Sequence, residues 1–349
     1  MNSFSFTIPQ NIVVGAGSLK RLPELAKNLK KSKAYIISGP HLEKIGMVDK
    51  CREALKAAGI ESDAFTQTEG NPSTDTVAKA AEGFKSSNAD FIVAFGGGSP
   101  LDVAKAVAVI ASYGGNITDY EGGGKVPGPV VPMIAIPTTA GTGSEVTAFS
   151  VITDHSRNYK LTVVSNYLLP AYAILDPELI TTVPKSTAAA CGIDAMVHAL
   201  EAFISKAASP FSDLFAKEAL RLIGTSIRDY VLDRSNLAAC EAMLTGSLFA
   251  GIAFSHARLG DVHAMSHPVS AYFDVAHGVA NAVLLPTIVD YNMTYASEKY
   301  KYIYDCICEK PLDDDSFTPE MLAAEIRVLN DELGIPSSLS EVGVDSSLF

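Results

Sequence analysis

FIVAFGGGSPLDVAKAVAVIAS, residues 91–112, is the stretch that decides the fold of this chain. It opens with five apolar residues, turns through the glycines and serine at residues 96–99, and continues into an apolar segment rich in alanine and valine. A short apolar run is typical of a strand that is buried on both faces, and Pro100 suits the first turn of a helix. The stretch therefore predicts a strand, a glycine turn and a helix in direct succession.

The same alternation continues on both sides of this stretch, over residues 30–140. KAYIISG, residues 33–39, predicts a buried strand, and Thr74 is a candidate cap for the helix TVAKAAEGFK. PMIAIPTTA, residues 132–140, predicts a final strand. Because strands that alternate with helices form a parallel sheet with helices on its faces, this half of the chain is predicted to be an α/β domain.

Beyond about residue 183 the pattern changes. After Pro184 the chain has helical periodicity and no clear strand. We therefore predict an α/β domain at residues 1–183 and an all-helical domain at residues 184–349. The length agrees with this division, since 349 residues are more than one ordinary core supports.

Net charge, the N-terminal residues and the cysteines indicate the partners and the compartment of the protein. A net charge of -12 argues against a nucleic-acid partner, which requires clustered Lys and Arg, and gives no basic patch for an anionic membrane surface. The N-terminal residues MNSFSFTIPQ lack the pattern of a signal peptide, and no apolar run has the length of a transmembrane helix. Five scattered cysteines are typical of free thiols in a reducing compartment. These features predict a cytoplasmic protein.

Histidines and one carboxylate cluster in the helical half. CGIDAMVHALEAF, residues 191–203, places Asp194 and His198 four residues apart, so that both side chains lie on one helix face. GDVHAMSHPVSAYFDVAHGVANAVLLP, residues 260–286, repeats this spacing at His263 and His267 and adds His277. One carboxylate and several imidazoles from separate helices are typical of a divalent transition-metal site.

Each histidine taken alone could be a structural residue and not a metal ligand. A single histidine on an apolar helix is more often a hydrogen-bonded core residue than a metal ligand. The clustering favours the metal, because three histidines fall within residues 263–277, a segment otherwise rich in apolar and small residues.

Two glycine- or hydroxyl-rich loops follow predicted strands of the α/β half. The turn at residues 96–99 would let a phosphate approach the backbone and the free N–H groups of the next helix, although such a turn also serves close packing alone. It does not match the pattern G-x-G-x-x-G, nor does GAGS at residues 15–18. The second loop spans residues 138–145. Two such loops at one sheet edge favour a bound nucleotide.

Five motifs in order resemble the iron-containing (group III, metal-dependent) alcohol dehydrogenase family. They are GGGSPLDVAK, PTTAGTGSEVT, LDPEL, GIDAMVHALEAF and VHAMSHP followed by HGVANAVLLP. The resemblance runs from about Phe4 to the end of the chain. It implies a Rossmann-like α/β domain with a parallel sheet that binds NAD(H) or NADP(H). An all-α C-terminal domain would carry the metal, in the architecture shared with dehydroquinate synthase, and the chain would form a homodimer.

The resemblance also implies roles for individual residues. The positions that match cofactor contacts are Gly39, Gly96, Gly97, Gly98, Ser99, Asp102, Thr138, Thr139, Thr142, Lys160 and Leu179. The metal ligands would be Asp194, His198, His263 and His277, which suit Fe²⁺ and equally Zn²⁺. Phe254 matches a wall of the substrate pocket. The catalytic candidates are Asp102 and His267, and for His267 a proton relay and a purely orienting hydrogen bond are both open.

The implied activity is metal-dependent interconversion of small primary alcohols or diols and aldehydes. The metal would polarise the substrate oxygen while hydride moves to or from C4 of the nicotinamide. Two alternatives stay open. One is a fold relative with a different reaction, such as a zinc polyol (glycerol-type) dehydrogenase or a dehydroquinate-synthase-like lyase. The other is a truncated homologue that binds the cofactor but is inactive and serves as a structural subunit.

Two positions and the C-terminal length depart from the family pattern. Gly39 stands where many NAD-preferring members have an aspartate that repels a 2′-phosphate, so NADP(H) becomes at least as plausible. Asp261 replaces a usually apolar residue and would either accept a histidine N–H or face solvent. The family normally continues past the position of Phe349, so we expect either that the sequence is a fragment or that one side of the helical domain is shortened.

Overall fold

The computed structural model describes residues 4–8, 11–309, 313, 316–345 and 347. The chain divides into two units. The α/β unit comprises Ile8–Thr139 and Ser144–Leu179, and the helical unit comprises Met1–Thr7, Ala140–Gly143 and Ile180–Phe349. The boundary placed at residue 183 stays a proposal.

The α/β unit is built around a parallel sheet of six strands. Its strands and those of a smaller sheet are β1 Ile12–Val14, β2 Lys33–Ile37, β3 Glu61–Phe65, β4 Phe91–Gly96, β5 Gly122–Gly123, β6 Met133–Pro137, β7 Phe149–Asp154, β8 Tyr159–Val164 and β9 Tyr172–Leu175. The strand order of the main sheet is β1-β9-β6-β4-β2-β3, and every pair is parallel. The predicted α/β class with a parallel sheet is confirmed.

Helices cover both faces of this sheet. They are α1 Leu22–Asn28, α2 Pro40–Lys44, α3 Met47–Ala57, α4 Thr74–Ser87 and α5 Gly98–Tyr113. Because side chains alternate along a strand, Tyr35 and Ile37 of β2 join the core under α4 and α5. Ala34 and Ile36 join the opposite core, under α1 and α3. Burial on both faces explains why the central strands are continuously apolar.

Two local predictions were wrong. Ser73, not Thr74, caps α4, because Ser73 has the extended backbone of a cap and its Oγ accepts from the Thr76 N–H at 3.2 Å. The strand β6 is not the last of this unit. A second sheet of order β5-β8-β7 follows it, with β7 and β8 antiparallel, and β9 returns to the main sheet between β1 and β6.

The second half of the chain is helical, as predicted. Its helices are α6 Lys185–Ile204, α7 Pro210–Leu232, α8 Leu237–Ala257, α9 Asp261–Phe273, α10 His277–Ile307 and α11 Pro319–Leu333. By length and composition α6 and α8 could cross a membrane, but 83% and 67% of their most apolar windows are buried within the protein. Burial of this extent identifies them as central helices of this unit. At Gly224 of α7 a Cβ would collide with the Cys306 carbonyl of α10, so glycine permits the close packing of these helices.

Candidate metal centre

Helix α6 supplies the carboxylate and the first imidazole of the centre. Asp194 and His198 are one turn apart, and their residues are only 3% and 4% exposed. The His198 Nδ1–H donates to the Gly141 carbonyl oxygen at 3.2 Å, within the helical unit. This hydrogen bond directs the other ring nitrogen, Nε2, towards Asp194.

The remaining imidazoles come from the beginnings of α9 and α10. His263 is the third residue of α9, and His277 is the first residue of α10. The next residue, Gly278, lies against α6, where a Cβ would be only 2.5 Å from the Ala190 carbonyl oxygen. The absence of a side chain at Gly278 therefore lets His277 approach Asp194.

The three Nε2 atoms surround one carboxylate oxygen. Asp194 Oδ1 lies 3.7 Å from His263 Nε2, 3.8 Å from His277 Nε2 and 3.9 Å from His198 Nε2. One ligand atom from each of Asp194, His263 and His277 falls within 4.8 Å of the others. Donors that share one ion at about 2.1 Å lie roughly 3–3.5 Å apart, so a small inward movement would suffice for coordination.

The side-chain amide of Asn281 lies at the point where the carboxylate and two of the imidazoles converge. Its Nδ2 lies 2.6 Å from Asp194 Oδ1, 3.1 Å from His263 Nε2 and 3.2 Å from His277 Nε2. When neither imidazole carries a hydrogen on Nε2, this amide has two hydrogens for three acceptors, and its buried Oδ1 has no hydrogen-bond partner among the described residues. Several buried acceptors thus converge where the structure supplies one amide donor. The donor set fits a divalent cation, which would bind all of them at once.

The protonation states of the site are set by burial and by the shared carboxylate. Burial disfavours the charged form of Asp194, but the surrounding imidazoles outweigh it and hold the pKa of this carboxyl well below its usual range. Burial lowers the pKa of His198 to about 4 and also lowers the pKa of His277. For His263, the carboxylates of Asp194 and Glu201 outweigh burial and raise the pKa to about 9. Near neutral pH Asp194 is therefore ionised and His198 and His277 are neutral, which are the forms that bind metals, whereas His263 carries a proton on Nε2 that a metal would displace.

Glu201 is a buried part of the centre that the sequence analysis missed. Only 2% of this residue is exposed, and its Oε2 accepts from His263 Nδ1–H at 2.6 Å. A signal was present, since Glu201 lies seven residues after Asp194 and three after His198, on the same helix face. Asp261, by contrast, is exposed and accepts from the Asn292 side chain at 3.1 Å. The histidine partner is therefore Glu201, and Asp261 faces solvent.

Phe254 and His267 border the centre. The Phe254 ring stacks on His198 with centroids 4.4 Å apart. The His267 ring lies 5.3 Å from the His277 ring and 5.8 Å from the His263 ring. His267 is thus a neighbour of the predicted ligands. Both His267 and the predicted ligand His198 lie outside the tight group of Asp194, His263 and His277, but His198 Nε2 is 3.9 Å from Asp194 Oδ1.

In the α/β unit, the two predicted loops lie side by side. The Thr138 N–H donates to the Gly96 carbonyl at 2.9 Å, and a Cβ at Gly97 would be 3.2 Å from Thr139 Oγ1. Gly97 is the N-terminal cap of α5, which begins at Gly98. Gly39 follows β2, the parallel neighbour of β4. The carboxyl ends of adjacent strands therefore bring these residues to one sheet edge.

Other predicted cofactor residues have structural contacts. Asp102 accepts from Ser144 Oγ at 2.7 Å and from the Val151 N–H at 3.0 Å, and burial raises the pKa of Asp102. Lys160 Nζ donates to Asn71 Oδ1 at 2.6 Å. Leu179 belongs to the core between the sheet and α1. Thr142 lies in Ala140–Gly143, the short piece assigned to the helical unit.

The chain thus combines a parallel-sheet unit that has a glycine turn with a helical unit that has a buried carboxylate and imidazoles. Comparison with known proteins identifies the family. The model of the iron-containing alcohol dehydrogenases matches residues 9–177, and that of the C-terminal region of the Fe-containing alcohol dehydrogenase family matches residues 188–349. The chain belongs to the iron-containing alcohol dehydrogenase family, and the prediction of an oxidoreductase is confirmed at this level.

Similar proteins cover almost the whole chain. An NAD-dependent methanol dehydrogenase of Bacillus methanolicus is 35% identical over 97% of this chain and 90% of its own length. A 1,3-propanediol dehydrogenase of Citrobacter freundii is 38% identical over 99% of this chain and 90% of its own. The crystal structure of a 1,3-propanediol oxidoreductase matches with a TM-score of 0.94, at 37% identity, over 99% of this chain and 91% of that one.

Proposed function

We propose that this protein is a metal-dependent, NAD(P)-linked alcohol dehydrogenase that interconverts small primary alcohols or diols and the corresponding aldehydes. The observation that supports this most directly is the convergence of three imidazole Nε2 atoms on Asp194 Oδ1, at 3.7–3.9 Å. The relatives named as methanol and 1,3-propanediol dehydrogenases support the substrate class.

Asp194, His198, His263 and His277 would hold Fe²⁺ or Zn²⁺. A divalent ion at this position supplies Lewis acidity that polarises the alcohol or carbonyl oxygen. Phe254, stacked on His198, would form an apolar wall beside the reacting carbon and exclude water from it. His277 is the most exposed of the four, with 27% of its side chain accessible, so substrate would approach from its side.

The α/β unit would hold the dinucleotide. The N–H groups at the beginning of α5, with Ser99, would bind the pyrophosphate, and Thr138 and Thr139 would lie beside it. Because Gly39 carries no carboxylate to repel a 2′-phosphate, we propose that NADP(H) is accepted as well as NAD(H). Lys160 would contact the ribose, whereas the hydrogen bonds of Asp102 favour a role in holding Ser144 and Val151 near the turn.

His267 is proposed to carry a proton between the substrate hydroxyl and solvent. Its ring is 5.3 Å from that of His277 and the residue is partly exposed, which are conditions that a relay needs. The absence of a disulfide among the described cysteines agrees with a cytoplasmic location, and the family resemblance supports a homodimer. A nucleic-acid or membrane partner is not part of this proposal.

Anaerobic reconstitution tests the proposal. Metal-free protein is loaded with Fe²⁺ or Zn²⁺, and absorbance at 340 nm is followed with NADH or NADPH and propanal, and with the oxidised cofactors and propanol or glycerol. We expect metal-dependent turnover that His277→Ala abolishes, with Tyr295→Ala, an exposed site on the same helix, as the control. Unchanged rates in His277→Ala would refute the site assignment. Tight cofactor binding without turnover would favour an inactive structural homologue.

A further inference from the structure

We propose that Glu201 is a positioning residue that sets the tautomer of His263 and ties the start of α9 to α6. The inference rests on the proposed metal centre and extends it to a residue that does not touch the cation. Glu201 would act through His263, by accepting a hydrogen bond from its Nδ1–H and so leaving the Nε2 lone pair for the metal.

Both carboxylate oxygens of Glu201 are used, each by a different part of α9. Oε2 accepts from His263 Nδ1–H at 2.6 Å, and Oε1 accepts from the Val262 N–H at 2.7 Å. The two hydrogen bonds hold the backbone just before His263 and the imidazole ring of His263 itself. One side chain therefore determines both where the imidazole stands and which nitrogen faces Asp194.

The contact with Val262 replaces a missing helix cap. Helix α9 begins after Gly260, which has no side chain to accept from the free N–H groups of the first turn. Glu201 accepts one of them and places a negative charge at the positive end of the helix. A Cβ at Gly260 would be only 3.0 Å from Glu201 Oε1, so glycine leaves room for this carboxylate.

The chain geometry links this carboxylate to the other ligands. Glu201 lies two helical turns after Asp194 on α6. Helix α6 therefore carries two predicted ligands, Asp194 and His198, and through Glu201 it also positions a third, His263 of α9. Among the described residues, the ion-pair partner of Glu201 is His263, and no lysine or arginine neutralises it. A buried carboxylate is costly unless it is paired, and this one is paired with His263, which indicates that its charge serves that histidine and the metal behind it.

The test measures metal affinity, apart from turnover. Metal-free wild type, Glu201→Gln and Glu201→Asp are titrated with Zn²⁺ against a chromophoric chelator, and with Co²⁺ to record the visible spectrum. We expect Zn²⁺ affinity to fall roughly 10- to 100-fold in Glu201→Gln, because the amide replaces one of the two acceptor oxygens by an NH₂ donor. Asp should restore part of the affinity, and the Co²⁺ bands should shift in Gln and recover partly in Asp.

Controls separate this role from a structural one. Glu218→Gln removes a carboxylate on the surface of α7 and should leave both titrations unchanged. Thermal unfolding of the metal-free forms reports what Glu201 contributes to stability without the metal, through the helix cap and through the pair with His263. A lower unfolding temperature in Glu201→Gln with Zn²⁺ affinity within twofold of wild type would overturn the inference and leave only the capping role. Loss of Zn²⁺ binding in His277→Ala with no effect in Glu201→Gln would support the metal centre and refute the positioning role.

Discussion

Replacing Gly278 with alanine should move His277 away from Asp194 without changing any ligand. The new Cβ would stand 2.5 Å from the Ala190 carbonyl oxygen and 2.8 Å from its carbon, both of them backbone atoms of α6. An ordinary contact needs about 3.4 Å, so the start of α10 must retreat by about 0.9 Å. Metal–ligand distances tolerate only about 0.2 Å, and the displacement therefore exceeds what coordination by His277 allows.

The expected result is a loss of Zn²⁺ affinity of roughly 10- to 100-fold, together with about 1–3 kcal/mol of unfolding free energy from the forced overpacking. Affinity is measured by chelator competition and stability by urea unfolding of the metal-free protein. Gly70→Ala is the matched control, because a Cβ there meets nothing within 4 Å and the backbone is not left-handed. If Gly278→Ala bound Zn²⁺ as tightly as Gly70→Ala, the contact between α6 and α10 would not set the geometry of the centre.

Two further predictions concern the α/β unit. Gly39→Asp should shift the ratio of kcat/KM values from NADPH towards NADH, since the new carboxylate would repel a 2′-phosphate. The new Cβ would lie 3.2 Å from the Thr68 carbonyl oxygen, so the backbone needs only a slight adjustment. An unaltered ratio would count against this assignment of the cofactor site. For Glu145, burial raises the pKa from 4.5 to about 7 despite the opposing charge of Lys105. The folded chain then binds more protons than the unfolded chain between these pH values, so stability falls as pH rises from 4.5 to about 7. Urea unfolding across this range should show a shallower fall in Glu145→Gln, and equal slopes would contradict the assignment.

The fold was predictable where the sequence pattern is local. The strands β2, β4 and β6 are apolar runs bounded by turns, and such runs arise because these strands are buried on both faces. The strands β7 and β8 escaped prediction, because they pair with each other in a small mixed sheet and alternate only partly between buried and exposed positions. The place of β9 in the main sheet could not be predicted either, because it depends on pairing with β1 and β6, which are distant in sequence.

The sequence by itself determined which groups are available and how they are spaced within a helix. The four-residue interval from Asp194 to His198 is enough to place both on one face of α6, because the helical repeat is a local property. Only the tertiary structure decided that His263 and His277 join them. It also decided that Glu201 accepts from His263 across 62 residues and that Asn281 donates to Asp194 across 87. Such contacts depend on how helices pack, and packing is a property of the whole core, which no single interval in the sequence contains.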